Sequence, residues 1–348
     1  MIANLLDTLP YTDSGDVRSY LKMKKMKMKK ILISILLLAA ASSYSQELNV
    51  PVATQYLADN PFVISPTYAG IGDNFRINLN GYMQWVGVQD APQSQALYAD
   101  FRVLDQSGVG LSLYNDSNGY TKQAGGKLSF AHHIILGYYS KQYLSFGISY
   151  IYNSFRLDWT KYKPTKNDPV ITDDRSTNNN NFEVGFLYRN KGFYANATAT
   201  NILKKDIDFT TTKLEPNLLT NYQFYSGYVF DIGNREEIEP SAFFQYFQND
   251  RRSNTDLNIK YRKFNRYEDY YWVGASYRFL NDQIGKPLGV GPLIGFSKGY
   301  FSMGYSYQIT LDKNLVAYNS GTHSLTIGFR FLQGISNYCP CTQGPVHE

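Results

Sequence analysis

The chain has 348 residues, 43% of them hydrophobic, with a formal net charge of +5. Its apolar content leans on 31 Tyr and 21 Phe, rings that suit a membrane–water boundary, where an apolar body meets a wet edge. The positive balance is no argument for nucleic acid or acidic substrates, because most of it lies in the first 45 residues.

Those residues read as an export signal. Lys22, Lys24, Lys25, Lys27, Lys29 and Lys30 precede an apolar run from Ile31 to Ala41, broken only by Ser34. Ser43 and Ser45 supply small residues at the −3 and −1 positions, which places cleavage after Ser45 and the mature start at Gln46. The apolar run is too short to span a bilayer as a helix. Met1 to Leu21 has no signal character, so translation is expected to begin at Met23, Met26 or Met28. The leader takes seven basic and three acidic residues with it, leaving 27 against 26 and a net charge near +1.

Residues 46–73 form a separate, proline-bearing segment. Pro61 and Pro66 each deny a strand its donor and push the preceding residue towards an extended conformation. The sequence predicts a non-sheet periplasmic piece with apolar anchors. It reads either as a plug or lid packed on a periplasmic rim, or as a docking surface for a partner.

From residue 74 to 332 the pattern is alternation. No 18-residue apolar run follows the leader, which excludes helical membrane spans. Phe75, Ile77, Leu79, Gly81, Met83 and Trp85 share one face of a strand, and Arg76, Asn78, Asn80, Tyr82 and Gln84 the other. The same dyad returns in Leu144, Phe146, Ile148 and Tyr150 against Ser145, Gly147, Ser149 and Ile151, and again in Leu325, Ile327 and Phe329 against Ser324, Thr326 and Gly328. About fourteen segments (12 to 16) are predicted, near 74–88, 95–105, 108–116, 123–137, 142–156, 181–190, 192–202, 219–232, 238–249, 254–264, 268–280, 288–297, 300–311 and 322–332. Apolar-out, polar-in strands of this length predict an all-β transmembrane antiparallel barrel, since backbone in lipid must be satisfied by closure. A soluble β-sandwich is the competing fold. Strand length, aromatics at strand ends (Tyr138, Tyr139, Tyr270, Tyr271, Trp272) and the leader argue against it. Polar stretches such as Lys161–Asn181 and Asn249–Asn254 read as outside loops, with short turns on the periplasmic side.

Chemistry is sparse. His132 and His133 are adjacent on a strand and point to opposite faces, so they cannot share a metal. His323 opens the last strand and His347 lies in the tail. No phosphate-cradling loop, zinc helix motif or nucleophile elbow is present. Asp173 and Asp174 read as a solvated loop before a weak calcium site. Cys339 and Cys341, in the 333–348 tail, could close a small ring, pair with another chain or bind metal, and two cysteines do not fill a zinc site. No catalytic residue, metal ligand or cofactor is expected.

One stretch carries a family resemblance. The run QYLADNPFVISPTYAGIGDNFRINLNGYMQWVGVQDAPQSQ, from Gln55 to Gln95, resembles the opening signature of the PorP/SprF outer-membrane proteins of Bacteroidetes. The matching residues are Asn60, Pro61, Ser65, Pro66, Tyr68, Ala69, Gly70, Gln84, Trp85, Gly87, Ala91 and Pro92, with Ser65 where Asn is usual. The resemblance extends over residues 46–332. It implies a non-enzymatic outer-membrane barrel of type IX secretion, with Asn60, Pro61, Pro66, Tyr68, Gly70, Gln84, Trp85 and Pro92 as signature or partner-binding positions. The implied partners are outer-membrane lipid, periplasmic ring proteins of that system and a large cell-surface adhesin, with support for gliding motility. A porin for small solutes is the alternative.

Overall fold

Alternation becomes strand along the chain. The computed structural model describes residues 55–342 except 73, 120, 138, 140, 158–174, 204–219, 249–250, 267–268, 282–285, 312–319 and 333–338. The signal peptide, the Ser45–Gln46 junction, Asp173, Asp174 and His347 lie outside the described residues. The strands are β1 (Asn74–Met83), β2 (Gln93–Leu104), β3 (Ser107–Asn118), β4 (Thr121–Gly137), β5 (Gln142–Leu157), β6 (Arg175–Asn190), β7 (Phe193–Thr200) and β8 (Asn221–Tyr228). They continue as β9 (Phe230–Gly233), β10 (Glu236–Phe247), β11 (Arg252–Phe264), β12 (Tyr270–Leu280), β13 (Lys286–Lys298), β14 (Phe301–Thr310) and β15 (Thr322–Leu332).

Each strand pairs antiparallel with its neighbour, and β1 pairs with β15 from Asn74↔Leu332 to Met83↔His323, which closes the wall. β8 and β9 occupy one position in it, so the barrel has 14 strands, as the alternation predicts. The break between them at Val229 falls opposite Glu239 and Pro240, where proline has no N–H to give the ladder. Closure leaves the wall without an exposed edge except along the four-residue β9, which pairs only with β10, and closure is the condition for strands in lipid.

The two faces of the wall follow the dyad. Leu128, Ile259 and Ile294 point outward and are 63%, 53% and 53% exposed, while Asn78, Ser112, Ser149 and Asn258 point inward and are buried. Ring pairs mark the two ends of the apolar band: Phe75 with Phe101 and Phe331 at one, Tyr222 with Tyr246 at the other. At the first of these ends the strands are joined by tight turns, at 105–106, 191–192, 234–235 and 299–300. At the other end lie the strand termini Met83 and Gln93, Leu157 and Arg175, Thr200 and Asn221, and Thr310 and Thr322, each pair separated by more residues of sequence. Short turns face the periplasm in outer-membrane barrels, so the segment leading into β1 enters from that side.

Several expected boundaries differ: the expected 249–254 loop is strand from Arg252, which pairs with Phe247. β1 stops at Met83 instead of running to 88, because the chain turns at Trp85, whose φ of 52° lies in the left-handed region. Part of the expected 161–181 loop is strand: Asn178 to Asn181 pair with Ser154 to Ile151, carrying the β5–β6 hairpin on past the apolar band. Polar residues suit that stretch because the ladder there needs no lipid-facing side chains.

Candidate functional site

The lumen is occupied by the chain's own N-terminal segment. Three single 3-10 turns, Gln55–Leu57, Pro61–Val63 and Pro66–Tyr68, replace strand in residues 55–68. Proline opens two of them, where its fixed φ is favourable and a lost N–H costs nothing. Ser65 caps the third by accepting from the Thr67 N–H at 3.3 Å. The result is a compact plug with Tyr56, Leu57, Phe62, Ile64 and Ile71 turned inward and buried.

Wall and plug are matched in shape. A Cβ on Gly147 of β5 would meet the Thr67 nitrogen at 2.6 Å, and one on Gly108 of β3 would meet the Ala69 oxygen at 2.3 Å. The backbone of the plug therefore lies directly on the strands, at positions where only glycine leaves room. Tyr56 packs on Tyr225 and Phe243 with ring centroids 5.1 Å from each.

Polar ties run the length of the segment. Asp59 accepts from Lys260 Nζ at 2.7 Å, Arg262 Nη2 at 3.1 Å and the Tyr270 hydroxyl at 3.1 Å. Lys260 also donates to the Leu57 carbonyl at 2.8 Å. Burial works to raise the Asp59 carboxyl, but the two cations outweigh it and hold it well below the usual carboxylate range. Asn196 donates to Ser65 Oγ at 3.0 Å and Thr67 Oγ1 at 2.9 Å. His133 Nε2 lies 3.0 Å from the Ala69 carbonyl, which can only accept, so that nitrogen carries a proton. Asp100 accepts from the Gly70 N–H at 3.0 Å and from Arg76, which also donates to the Tyr68 carbonyl at 3.2 Å.

The signature residues do not gather at one place. Asn60, Pro66, Tyr68 and Gly70 are buried in the plug, and Pro61 is half-buried. Gln84, Trp85 and Pro92 sit at the opposite end of β1, where the Gln84 N–H donates to the Pro92 carbonyl at 2.9 Å. A ten-residue strand separates the two groups, about 33 Å of extended chain. His132 and His133 point to opposite faces of β4: His132 meets Ser107 outside, and His133 holds the plug inside. His323 is outward between Tyr305 and Tyr307. Among the described residues, no cluster of His, Cys, Asp or Glu could hold a metal ion.

Sequence reading did not single out Tyr56, Asp59, Asn196, Lys260 or Arg262 as contacts. A signal existed in the charges: Glu237 and Glu239, then Lys260 and Arg262, stand on the inward face of paired strands β10 and β11. Arg262 bridges Glu237, Glu239 and Asp59. Charges at alternate lumen positions call for a partner across the bore, and the plug supplies it. The tail supplies a second clasp, with the Thr342 carbonyl accepting from the Gly72 N–H at 2.6 Å and Arg189 donating to the Cys341 carbonyl.

Fold and site together define an outer-membrane β-barrel whose lumen holds its own N-terminal segment. The family model described as "Type IX secretion system membrane protein PorP/SprF" matches residues 45–329, and the chain belongs to that family. A comparison with curated proteins found no match. Similar solved structures include the TodX monoaromatic hydrocarbon channel deltaS2 mutant, 7% identical with a TM-score of 0.45, over 77% of this chain and 91% of that one. The CymD monoaromatic hydrocarbon channel is 9% identical with a TM-score of 0.44, over 78% and 91%. BamA from Haemophilus ducreyi lacking POTRA domains 1–3 is 9% identical with a TM-score of 0.40, over 74% and 70%.

Proposed function

We propose that the barrel is a non-enzymatic, partner-binding component of type IX secretion that supports export or surface attachment of a large cell-surface adhesin, and through it gliding motility. The observation that carries this reading is the tied plug. Hydrogen bonds and ion pairs from β2, β4, β7, β11 and β12 hold residues 56–70 in the lumen, an arrangement that suits a holding device more than a solute path. The split signature supports two docking ends. The plug end faces the periplasm and the system's ring proteins, while the Trp85 loop faces outward to the adhesin.

Deleting the gene tests the reading. Surface display of one adhesin is expected to fall while uptake of small solutes stays unchanged. Trp85→Ala and Pro66→Ala are expected to weaken docking more than barrel insertion, read by adhesin display against heat-modifiable migration on gels. If both variants fail to insert, the signature is structural. A sustained open conductance of the purified barrel in planar bilayers would favour the porin instead.

A further inference from the structure

The tail holds chemistry that a secretion role leaves unused. Cys339 and Cys341 are joined in a disulfide, with Cα atoms 5.2 Å apart. A bridge across one intervening residue ties nothing distant together. Closing so short a ring removes little entropy from the unfolded chain, so the bond is a poor staple for the fold.

The two sulfurs occupy unequal places. Cys341 is fully buried, with Sγ 3.6 Å from the His133 carbonyl oxygen, and its own carbonyl accepts from Arg189. Cys339 is buried too, at 5% exposed, but it lines an open cavity of about 510 Å³ at the periplasmic rim, bounded also by Leu104, Asp105, Ser107, His132 and Ile135. That volume takes a side chain with its flanking peptide. His132 Nδ1 lies 2.9 Å from Ser107 Oγ, which orients the ring at the cavity wall.

We propose that Cys339–Cys341 is a thiol–disulfide exchange site for a cysteine dithiol of a periplasmic protein. The entering thiol gives its proton to His132 and attacks Cys339 Sγ as thiolate. A mixed disulfide forms on Cys339, the Cys339–Cys341 bond breaks, and its electron pair leaves with Cys341 Sγ, which is protonated. The partner's second thiol then displaces Cys339. The partner ends oxidised to a disulfide, and Cys339 and Cys341 end as thiols carrying the dithiol's two protons. Attack falls on Cys339 because the wall covers Cys341. The ring opens next to Thr342, which clasps Gly72 and the Asp105 carbonyl, so the thiol state of the periplasm is read at the base of the plug.

The test uses the full-length folded barrel in detergent, with dithiothreitol and glutathione as probes. Dithiothreitol is expected to reduce the bond while the barrel keeps its folded gel migration. With oxidised glutathione, Cys341→Ser is expected to form the mixed disulfide at Cys339 about ten-fold or more faster than Cys339→Ser forms it at Cys341. His132→Gln is expected to slow the first reaction in folded protein and leave it unchanged in denatured protein. Resistance of the native bond to dithiothreitol until the barrel unfolds would overturn the assignment, and that measurement needs no variant. Equal trapping at the two cysteines would overturn it as well.

Discussion

Asp59 shows how a single side chain is held. Its carboxylate meets Lys260, Arg262 and the Tyr270 hydroxyl, and Arg262 keeps Glu237 and Glu239 if Asp59 is removed. Asp59→Asn is therefore expected to loosen the plug by about 1–3 kcal/mol, less than the loss for a wholly buried pair stripped of one partner. Hydrogen exchange at the amides of residues 56–70 would register this, with barrel amides unchanged. The pH dependence has a definite sign. A carboxyl depressed in the folded state contributes stability that is fully present above its unfolded value and disappears as pH falls through the folded one. The share of plug protection that Asp59→Asn removes is expected to be flat from pH 7 to about 4 and to fall only in stronger acid. Loss already at pH 5 would mean that a different group controls the tie. Gly147 argues from space instead of charge. Gly147→Val puts methyls where the Thr67 nitrogen lies 2.6 Å from an added Cβ, an overpacking expected to cost about 1–3 kcal/mol. The plug can yield and the hydrogen-bonded wall cannot, so ion conductance should rise. Conductance equal to that of the unaltered barrel would rule out the close-packing account.

At the level of the element, the plug behaves as a satellite core inside the barrel. Its turns are too short to be stable alone, and their stability comes from the apolar side chains they place against the wall. Phe62 is the clearest anchor, 4% exposed, with its ring over Gly110 and edge-on to Tyr98 at 6.4 Å. Phe62→Ala removes the ring and leaves a void that a hydrogen-bonded wall cannot fill, a local loss of about 3–5 kcal/mol. Limited proteolysis is expected to cut this variant within residues 55–72 while the β-strands survive. Cleavage no faster than in the parent would show that the polar ties carry the plug without Phe62. The strands need no such anchor, since all but the short β9 are paired on both sides.

For the whole molecule, closure and the lipid-facing band decide stability together. Ile259 lies at the middle of β11, points outward and is 53% exposed to what the fold makes lipid. Ile259→Lys is expected to destabilise the barrel by about 2–4 kcal/mol, measured by denaturant unfolding from vesicles, because a cation at mid-bilayer has no polar partner. The inward neighbour Asn258 faces the polar interior, where it donates to the Tyr56 hydroxyl at 3.1 Å, and Asn258→Lys there should cost less. Equal losses at the two positions would contradict the assignment of faces.

Period-two alternation determined the barrel in the sequence itself. Each inward–outward dyad, such as Ile77 and Leu79 against Asn78 and Asn80, is local, and lipid leaves closed antiparallel strands as the only way to satisfy the backbone. The strand number was legible for the same reason, because each wall position is one segment between turns. Two prolines likewise announced a non-sheet segment before β1. Only the tertiary structure decided where that segment goes. Asp59 finds Lys260 and Arg262 some two hundred residues away, and Asn196 reaches Ser65 and Thr67. Such pairings depend on which strands curve round to face one another across the bore, a distance that no local period encodes. Closure likewise sets Gln84, Trp85 and Pro92 at the far end of β1 from Asn60 and Pro66. Residues continuous in one sequence motif are thereby set at two separate ends of the barrel, because a strand converts ten residues of chain into the depth of a membrane.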